Sequence, residues 1–204
     1  MEHELQEIVA VVNNKGGVGK TTTVQSIAAG LVRRNHNLRV LVVDLDPQCN
    51  LSSLMGMKKE GLSTIYEAMC KQSGLPIYKC KNGVYAVPGS GQMENIEQHL
   101  PGGPSLREQM KSYTVLLSCL QDNNCIDMTG EGLKNIFDDF DYVIIDCPPA
   151  LSKNTYNALV AASKVLIPVQ MEALSVKGVD EIFSVMEEVK EFHMNDNLKM
   201  MGLL

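Results

Sequence analysis

Short apolar runs recur along the chain, and most of them end in polar or acidic residues. "IVAVV" (8–12), "VLVV" (40–43), "YVII" (142–145) and "VLIPV" (165–169) are almost wholly apolar, which is typical of strands buried in a parallel sheet. Between the first two runs, apolar residues recur at helical spacing from Val24 to Leu31. This strand–loop–helix–strand unit predicts parallel strands joined by a right-handed crossover.

The remaining pattern predicts more helices and two further strands, one of them in "GVYAVPGS" (83–90). Spaced apolar residues from Leu106 to Leu120 fit one face of a single helix, and residues 154–162 and 176–192 predict two others. "LKMMGLL" (198–204) begins like a strand. We therefore expect an α/β fold, with a mostly parallel central sheet and helices on both faces. We expect one domain over residues 1–204, with the final strand and C-terminal helices of such a fold missing.

The clearest chemical signal is "GGVGKTT", which lies between the first strand and the first helix. In such a loop, backbone N–H groups hold phosphate oxygens and glycines allow close approach. Lys20 is expected to reach the β- and γ-phosphates, and the Thr21 hydroxyl to bind Mg²⁺. The alternative is a glycine-rich turn without a ligand. The predicted nucleotide-binding residues are Lys15, Gly16, Gly17, Val18, Gly19, Lys20, Thr21 and Thr22.

The loop has two unusual positions. Asn14 occupies the place of the first glycine in the pattern G-x-x-x-x-G-K-[ST], and asparagine tolerates left-handed backbone angles better than most residues. Lys15 is a second lysine that a simple phosphate loop does not explain. One interpretation is a solvated surface lysine. The other is that Lys15 reaches phosphates in a facing copy of the protein, as an arginine finger supplied in trans does.

Three aspartates follow buried runs. Asp44 and Asp46 end the second predicted strand, and Asp146 ends the third clear one. Ligands of open parallel sheets sit at the carboxyl ends of the strands, where a magnesium nucleotide needs hard oxygen ligands. Asp146 is expected to hold Mg²⁺ through water, and Asp44 to support the metal in a similar way. A single aspartate at a strand end is more often a turn or cap residue, but three beside one phosphate loop favour a site.

Composition limits the possible partners and compartment. The formal net charge is −6, which argues against a surface that is basic everywhere but not against a local basic patch. Six cysteines without a secretion signal favour reduced thiols, and their spacing does not match a zinc site. The apolar runs are too short to cross a bilayer. We therefore expect a cytoplasmic protein that has no membrane partner.

Four segments together resemble the ParA/Soj partition ATPases, members of the deviant Walker A class. They are "KGGVGKTTT", "VVDLDPQCNLSS", "FDYVIIDCPPALSKNTYNAL" and "VLIPVQ". The resemblance implies that the cofactors are ATP and Mg²⁺, and that Lys15 contacts nucleotide across a sandwich dimer. It implies that Asp46 positions the attacking water, so the catalytic residues are Lys15, Lys20 and Asp46. It further assigns Pro47, Gln48 and Asn50 to switch I, and Cys147, Pro148 and Pro149 to switch II.

The resemblance also implies a working cycle. ATP drives formation of a homodimer, the dimer binds DNA without sequence preference on the nucleoid, and a ParB-like partner stimulates slow hydrolysis. DNA-contacting and adenine-contacting residues lie largely in the C-terminal part of such proteins, so none is named here. A reading of Cys147 as a nucleophile is disfavoured because no histidine lies near it in the sequence.

Other members of the class fit less well. MinD-like proteins have a different segment in place of "DLDPQCN", and Cys119 and Cys125 lack the glycine-rich contexts of the nitrogenase iron protein. One alternative function stays open. The chain could be a nucleotide-switched regulatory or positioning module, MinD-like or controlling transcription or conjugation, with little turnover.

Overall fold

The computed structural model describes residues 7–57, 61–122, 125–170 and 175–204, without the side chains of residues 175–177. Its strands are β1 (Glu7–Val11), β2 (Val40–Asp44), β3 (Pro76–Lys79), β4 (Tyr85–Val87), β5 (Ile126–Asp127), β6 (Tyr142–Asp146), β7 (Lys164–Ile167) and β8 (Lys199–Leu203). Its α-helices are α1 (Lys20–Arg34), α2 (Asn50–Leu54), α3 (Ile65–Lys71), α4 (Leu106–Lys111), α5 (Val115–Gln121), α6 (Ile136–Asp139), α7 (Lys153–Ala161) and α8 (Ser175–Glu191). A 3₁₀ helix spans Gly91–Gln98.

The strands form one sheet in the order β5-β3-β4-β2-β6-β1-β7-β8. All described pairings are parallel except β3 with β4. The predicted α/β fold with a mostly parallel sheet is therefore confirmed. The register aligns Val11 and Asp44 with Asp146, so β1, β2 and β6 end side by side. This alignment brings the phosphate loop and the aspartates to the same edge of the sheet.

Helices cover both faces of the sheet, as the sequence predicts. On one face, α1 packs Val24, Ala28 and Val32 against alternate residues of the central strands. The larger apolar cluster on the other face includes residues of α3, α5, α7 and α8. Because every residue of β2 is buried, this strand reads as a continuous apolar run rather than an alternating one.

The prediction of one helix from Leu106 to Leu120 is wrong. The chain forms α4 and α5, separated at residues 112–114, and Leu106 is largely exposed. The side chain of Asn157, in α7, replaces the interrupted helical bonds at the break. Its Oδ1 accepts from Leu116 N at 3.0 Å and its Nδ2 donates to the Ser112 carbonyl at 2.8 Å. A polar group from a distant helix thus satisfies the buried backbone, which local spacing cannot predict.

The predicted helices at 154–162 and 176–192 correspond to α7 and α8, and the predicted strand at 198–204 to β8. The side chain of Val176 lies outside the described part of the chain. No described helix is both long and apolar enough to span a bilayer. All six cysteines are free thiols, as expected.

Candidate functional site

The phosphate loop runs from the end of β1 to the start of α1. Gly17 and Gly19 have φ angles of 75° and 91°, and Gly19 is the N-cap of α1. A side chain at either position would force an L-residue into left-handed backbone, which explains why the sequence has glycine there. The loop therefore delivers the unpaired N–H groups of the helix start to one place, a geometry suited to phosphate oxygens.

Two asparagines fix this loop to the rest of the molecule. Asn13 is buried, donates from Nδ2 to the Pro168 carbonyl at 2.6 Å, and accepts from Lys15 N at 2.9 Å. Asn14 hydrogen-bonds through Nδ2 to the Glu181 carboxylate in α8. Among the described non-glycine residues, positive φ occurs at Cys49, Gln72 and His193 and not at Asn14. The asparagines act through their side chains, and sequence reasoning had missed the contribution of Asn13.

Lys20 lies inside the loop and is buried. Its Nζ donates to the carbonyl oxygen of Lys15 at 3.0 Å. Burial lowers the pKa of Lys20, while the charges of Asp146, Cys147 and Asp46 oppose that shift. The amine is thus held where phosphate groups would replace lost hydration. Lys15 is half-buried, and its backbone is fixed on both sides, by Asn13 and by Lys20.

Asp146 is fully buried at the end of β6, and neither of its carboxylate oxygens has a hydrogen-bond partner of good geometry. Burial raises its pKa to about 7; the nearby Thr21 hydroxyl and Lys20 lower it, while Asp44 and Asp46 raise it. A buried carboxylate without partners is costly unless a cation completes it. Together with Thr21, these two oxygens therefore fit a magnesium ion bound to nucleotide phosphates.

Asp44 is buried too, but its oxygens already have donors. Oδ2 accepts from Ser52 N at 2.8 Å and Ser52 Oγ at 2.6 Å, and Oδ1 accepts from Asp46 N at 3.2 Å. Burial raises the pKa of Asp44 to about 6, although the bonds from Ser52 and Asp46 lower it. Ser52 Oγ in turn accepts from Gly89 N at 2.8 Å, and a Cβ at Gly89 would lie 2.9 Å from Asp44 Cγ. These contacts suit Asp44 to holding α2 and the end of β4 beside the site.

Asp46 directly precedes the segment predicted as switch I. Its Oδ1 accepts from Gln48 N at 2.9 Å, and its carbonyl accepts from Cys49 N at 2.9 Å, which closes a turn through Pro47. Cys49 has a φ of 51°, unusual for a residue other than glycine, and caps α2. Asn50 is the first residue of α2 and is exposed. Asp46 is buried and lines the same cleft as the phosphate loop.

The segment predicted as switch II follows Asp146 directly. Cys147 is fully buried, and burial raises the pKa of its thiol well above the ordinary value. This environment counts further against a nucleophilic cysteine. Pro148 is buried and Pro149 is exposed. Because β6 lies between β1 and β2, the segment after Asp146 lies between the phosphate loop and switch I.

A cleft of about 470 Å³ joins these segments. Of the predicted site residues, it is lined by Gly16, Gly17, Gly19, Lys20, Thr21, Thr22, Asp46, Gln48, Asn50 and Pro149. Ser53 and Leu54 in α2 also line it and were not predicted from the sequence. The predicted residues that do not line it are Lys15, Val18, Asp44, Pro47, Asp146, Cys147 and Pro148. The buried carboxylates of Asp44, Asp46 and Asp146 outnumber the buried amine of Lys20 at this site. The site is therefore suited to a divalent cation beside phosphates.

Comparison with known proteins assigns the chain to a family. A family model described as an AAA domain (AAA_31) matches residues 6–200. The chromosome partitioning protein ParA of Myxococcus xanthus is 34% identical over 97% of this chain and 63% of its own length. The chromosome-partitioning ATPase Soj of Thermus thermophilus is 34% identical over 96% of this chain and 67% of its own. The chain therefore spans about two thirds of these relatives.

A solved structure has the same architecture. Cobyrinic acid a,c-diamide synthase from Mycobacterium smegmatis, bound to an ATP analog and magnesium, superposes with a TM-score of 0.80. It is 32% identical, and the match covers 98% of this chain and 72% of that one.

Proposed function

The chain belongs to the AAA_31 family, as a relative of the ParA and Soj partitioning proteins, and from this premise we propose that it is a magnesium-dependent ATP hydrolase acting in plasmid or chromosome partitioning. The observation that carries the proposal is the buried Asp146 carboxylate, whose oxygens make no hydrogen bond of good geometry, next to Thr21 and Lys20 at the phosphate loop. A nucleotide with its cation compensates this buried charge. The magnesium-bound relative supports the same choice of cofactor.

Each residue of the site has a role in this proposal. Lys20 and the loop N–H groups bind phosphate oxygens, and Thr21 and Asp146 hold Mg²⁺, which neutralises charge developing on the phosphates. Asp46, which lines the cleft, orients the attacking water. Asp44 positions switch I through Ser52 and the Asp46 backbone.

The quaternary cycle is part of the same proposal. Two copies form a dimer on ATP, and Lys15 of each contacts the nucleotide of the other. The dimer binds DNA without sequence preference, which places it on the nucleoid, and a ParB-like partner accelerates turnover. Lysine and arginine contacts to phosphates would make this DNA binding depend steeply on salt.

Steady-state phosphate release tests the proposal. We expect slow release that requires Mg²⁺ and rises with added DNA and a ParB-like protein. Magnesium-dependent ATP binding without any turnover would refute the hydrolase and leave the nucleotide-switched regulatory module. The absence of any nucleotide binding would refute both.

A further inference from the structure

A groove lies between the end of α2 and the hairpin formed by β3 and β4. It measures about 700 Å³ and is lined mainly by residues 54–57, by residues 78–82 and by Met128 and Thr129. We call it the hairpin groove. None of the predicted nucleotide, metal or switch residues is among the described residues that line it, so it is a surface separate from the nucleotide site.

The hairpin groove is lined by apolar side chains, several of which are open to solvent. Met55 and Cys80 line it and are buried, whereas Leu54 is 53% and Met128 is 49% exposed. Single exposed apolar residues are ordinary, but apolar residues gathered on one concave surface are typical of a site for another protein. Methionine suits such a site, because its flexible thioether side chain adapts to the shape of the group that it contacts.

A second depression, of about 750 Å³, adjoins the hairpin groove and has a different character. It shares Lys79 and Lys81 with the groove, and Arg39 and His36 line it as well. Glu131 is the one carboxylate among the described residues that line it. We call it the basic depression. On a chain with a net charge of −6, it is a local surface of opposite sign.

The charge of the basic depression is only partly compensated. Lys79 forms an ion pair with Glu131, which makes that pair neutral. Arg39 approaches Asp139 at 3.7 Å through one guanidinium nitrogen. No ion pair joins Lys81 to another residue in the described part of the chain, and its side chain is exposed. Lys81, and in part Arg39, can therefore interact with carboxylates from outside the chain.

The turn that carries Lys81 is well fixed. Cys80 N donates to the Val84 carbonyl at 2.8 Å, and Gly83 N donates to the Cys80 carbonyl at 3.0 Å. A Cβ at Gly83 would lie 3.2 Å from Val32 Cγ1, so the tip of the hairpin packs closely against α1. A surface formed in advance loses little conformational freedom when a ligand binds, which favours affinity.

We propose that the hairpin groove and the basic depression together bind an amphipathic acidic segment of a partner protein. Its apolar residues contact Leu54, Met55 and Met128 in the groove, and its carboxylates lie beside Lys81 and Arg39. A nucleic acid matches the surface less well, because its phosphates find no donor among the apolar side chains of the groove. The inference does not rest on the proposed hydrolase, since this surface contains no predicted nucleotide or metal residue.

Titration of the nitrogen-15-labelled chain with the peptide acetyl-Leu-Ala-Ala-Leu-Leu-Ala-Glu-Glu-Asp-amide tests the binding directly. We expect saturable shifts of backbone amides at residues 54–57, 79–82 and 128–129. Two matched peptides separate the two halves of the surface. One has glutamine and asparagine in place of the acidic residues, and the other has serine in place of the leucines. We expect each to bind about tenfold more weakly than the acidic amphipathic peptide.

Charge reversal at Lys81 gives a second measurement, because this side chain is exposed and its replacement leaves the packing of the hairpin in place. Lys81→Glu should weaken the acidic peptide at least about tenfold and should improve binding of a peptide with lysine in place of the acidic residues. Met128→Gln should weaken the acidic peptide through the groove instead. Lys190→Glu, at an exposed position of α8, changes the net charge equally and should bind the peptide as the parent chain does.

Equal affinity for all three peptides, unchanged binding by Lys81→Glu or shifts confined to the phosphate loop would each overturn the proposal. A DNA oligonucleotide of mixed sequence that displaces the peptide and gives the same shifts would assign the surface to nucleic acid, and so overturn it too. Dissociation of self-associated protein by the peptide would assign it to a second copy, with the same consequence. ATP turnover measured without peptide is scored separately, since its absence would refute the hydrolase and leave the binding result intact.

Discussion

The side chain of Lys20 is held by the backbone of Lys15, through a hydrogen bond of 3.0 Å from Nζ to the carbonyl oxygen. The two lysines of the loop are therefore coupled, but by different parts of each residue. Lys20 contributes its amine, and Lys15 contributes a main-chain acceptor that any residue would keep. This separation allows the role of the Lys15 side chain to be tested without removing the support for Lys20.

Lys15→Gln should leave ATP binding largely intact, since the main-chain carbonyl of residue 15 and the hydrogen bond from its N–H to Asn13 Oδ1 persist. It should impair ATP-dependent dimerisation and hydrolysis, because the charge expected to reach the facing nucleotide is gone. Light scattering with and without Mg-ATP gives the mass directly. A Lys15→Gln protein that dimerises like the parent chain would remove the cross-subunit role.

Lys20→Ala should abolish detectable ATP binding or weaken it at least about tenfold, because a charged hydrogen-bond donor is lost from a buried position. Titration calorimetry with Mg-ATP measures the change. The matched control is Lys190→Ala, at an exposed position in the last turn of α8. Similar affinities in the two variants would show that Lys20 does not bind phosphate.

The strands and helices that could be predicted are those whose own residues show a recognisable pattern of apolar and polar positions. β1, β2, β6 and β7 are continuous apolar runs because both faces of the sheet are covered. The short strands β3 and β5 carry no comparable pattern and owe their place to pairing with each other and with β4. Chain segments stabilised mainly by partners distant in sequence are not recognisable from local spacing.

The candidate site divides in the same way. The glycines and Lys20 can be recognised from the sequence because a phosphate loop needs the backbone freedom of glycine and the charge of lysine. The roles of Asn13 and Ser52 are not visible in the sequence, since each acts through a contact with a residue elsewhere in the fold, Pro168 for Asn13 and Gly89 for Ser52. Pairings of that kind exist only after the strands have been placed side by side.

Asp46→Ala should trap an ATP-bound dimer. Asp46 lines the cleft, so its loss removes the group expected to orient water. The acceptor for Gln48 N is lost as well, but the main-chain bond from Cys49 N to the carbonyl of residue 46 remains and keeps the turn closed. We expect ATP binding and dimerisation to persist while phosphate release falls by about a hundredfold or more, within the range for general acid–base groups. Light scattering over time, with phosphate release on the same sample, separates trapping from failure to bind. A variant that releases phosphate at the parental rate would exclude the catalytic role.

Ser52→Ala should destabilise the nucleotide-free protein by about 1–3 kcal/mol, because Asp44 and Gly89 N each lose a buried partner. Urea denaturation measures the free energy of unfolding. Ser118→Ala is the control, since Ser118 is exposed on α5 and donates only to its own helix at Thr114. We expect that control to change stability by less than about 0.5 kcal/mol. Equal effects of the two substitutions would mean that the Asp44 contact contributes nothing.

Asp146→Asn should stabilise the nucleotide-free protein at neutral pH while removing magnesium-dependent ATP binding. Burial raises the pKa of Asp146 from 3.8 to about 7, so between these values the folded state holds more protons than the unfolded state. The contribution of Asp146 to the free energy of unfolding therefore falls as pH rises from about 4 to about 7. The amide removes that cost, by an amount on the order of 4 kcal/mol above pH 7 and close to zero below pH 4.

Asp127→Asn should show the opposite sign and serves as the control for this pH dependence. Burial raises the pKa of Asp127, but hydrogen bonds from Thr129, Gly132 and Leu133 outweigh it and bring the pKa to about 2. Its contribution to stability is present above the unfolded value and is lost as pH falls through about 2. Urea denaturation of both variants at pH 4, 6 and 8 should therefore show a stabilisation that grows with pH for Asp146→Asn and a nearly constant loss of stability for Asp127→Asn. If Asp146→Asn instead lowered stability at pH 8, the buried carboxylate would already be compensated by the protein. The argument that it requires a bound cation would then fail.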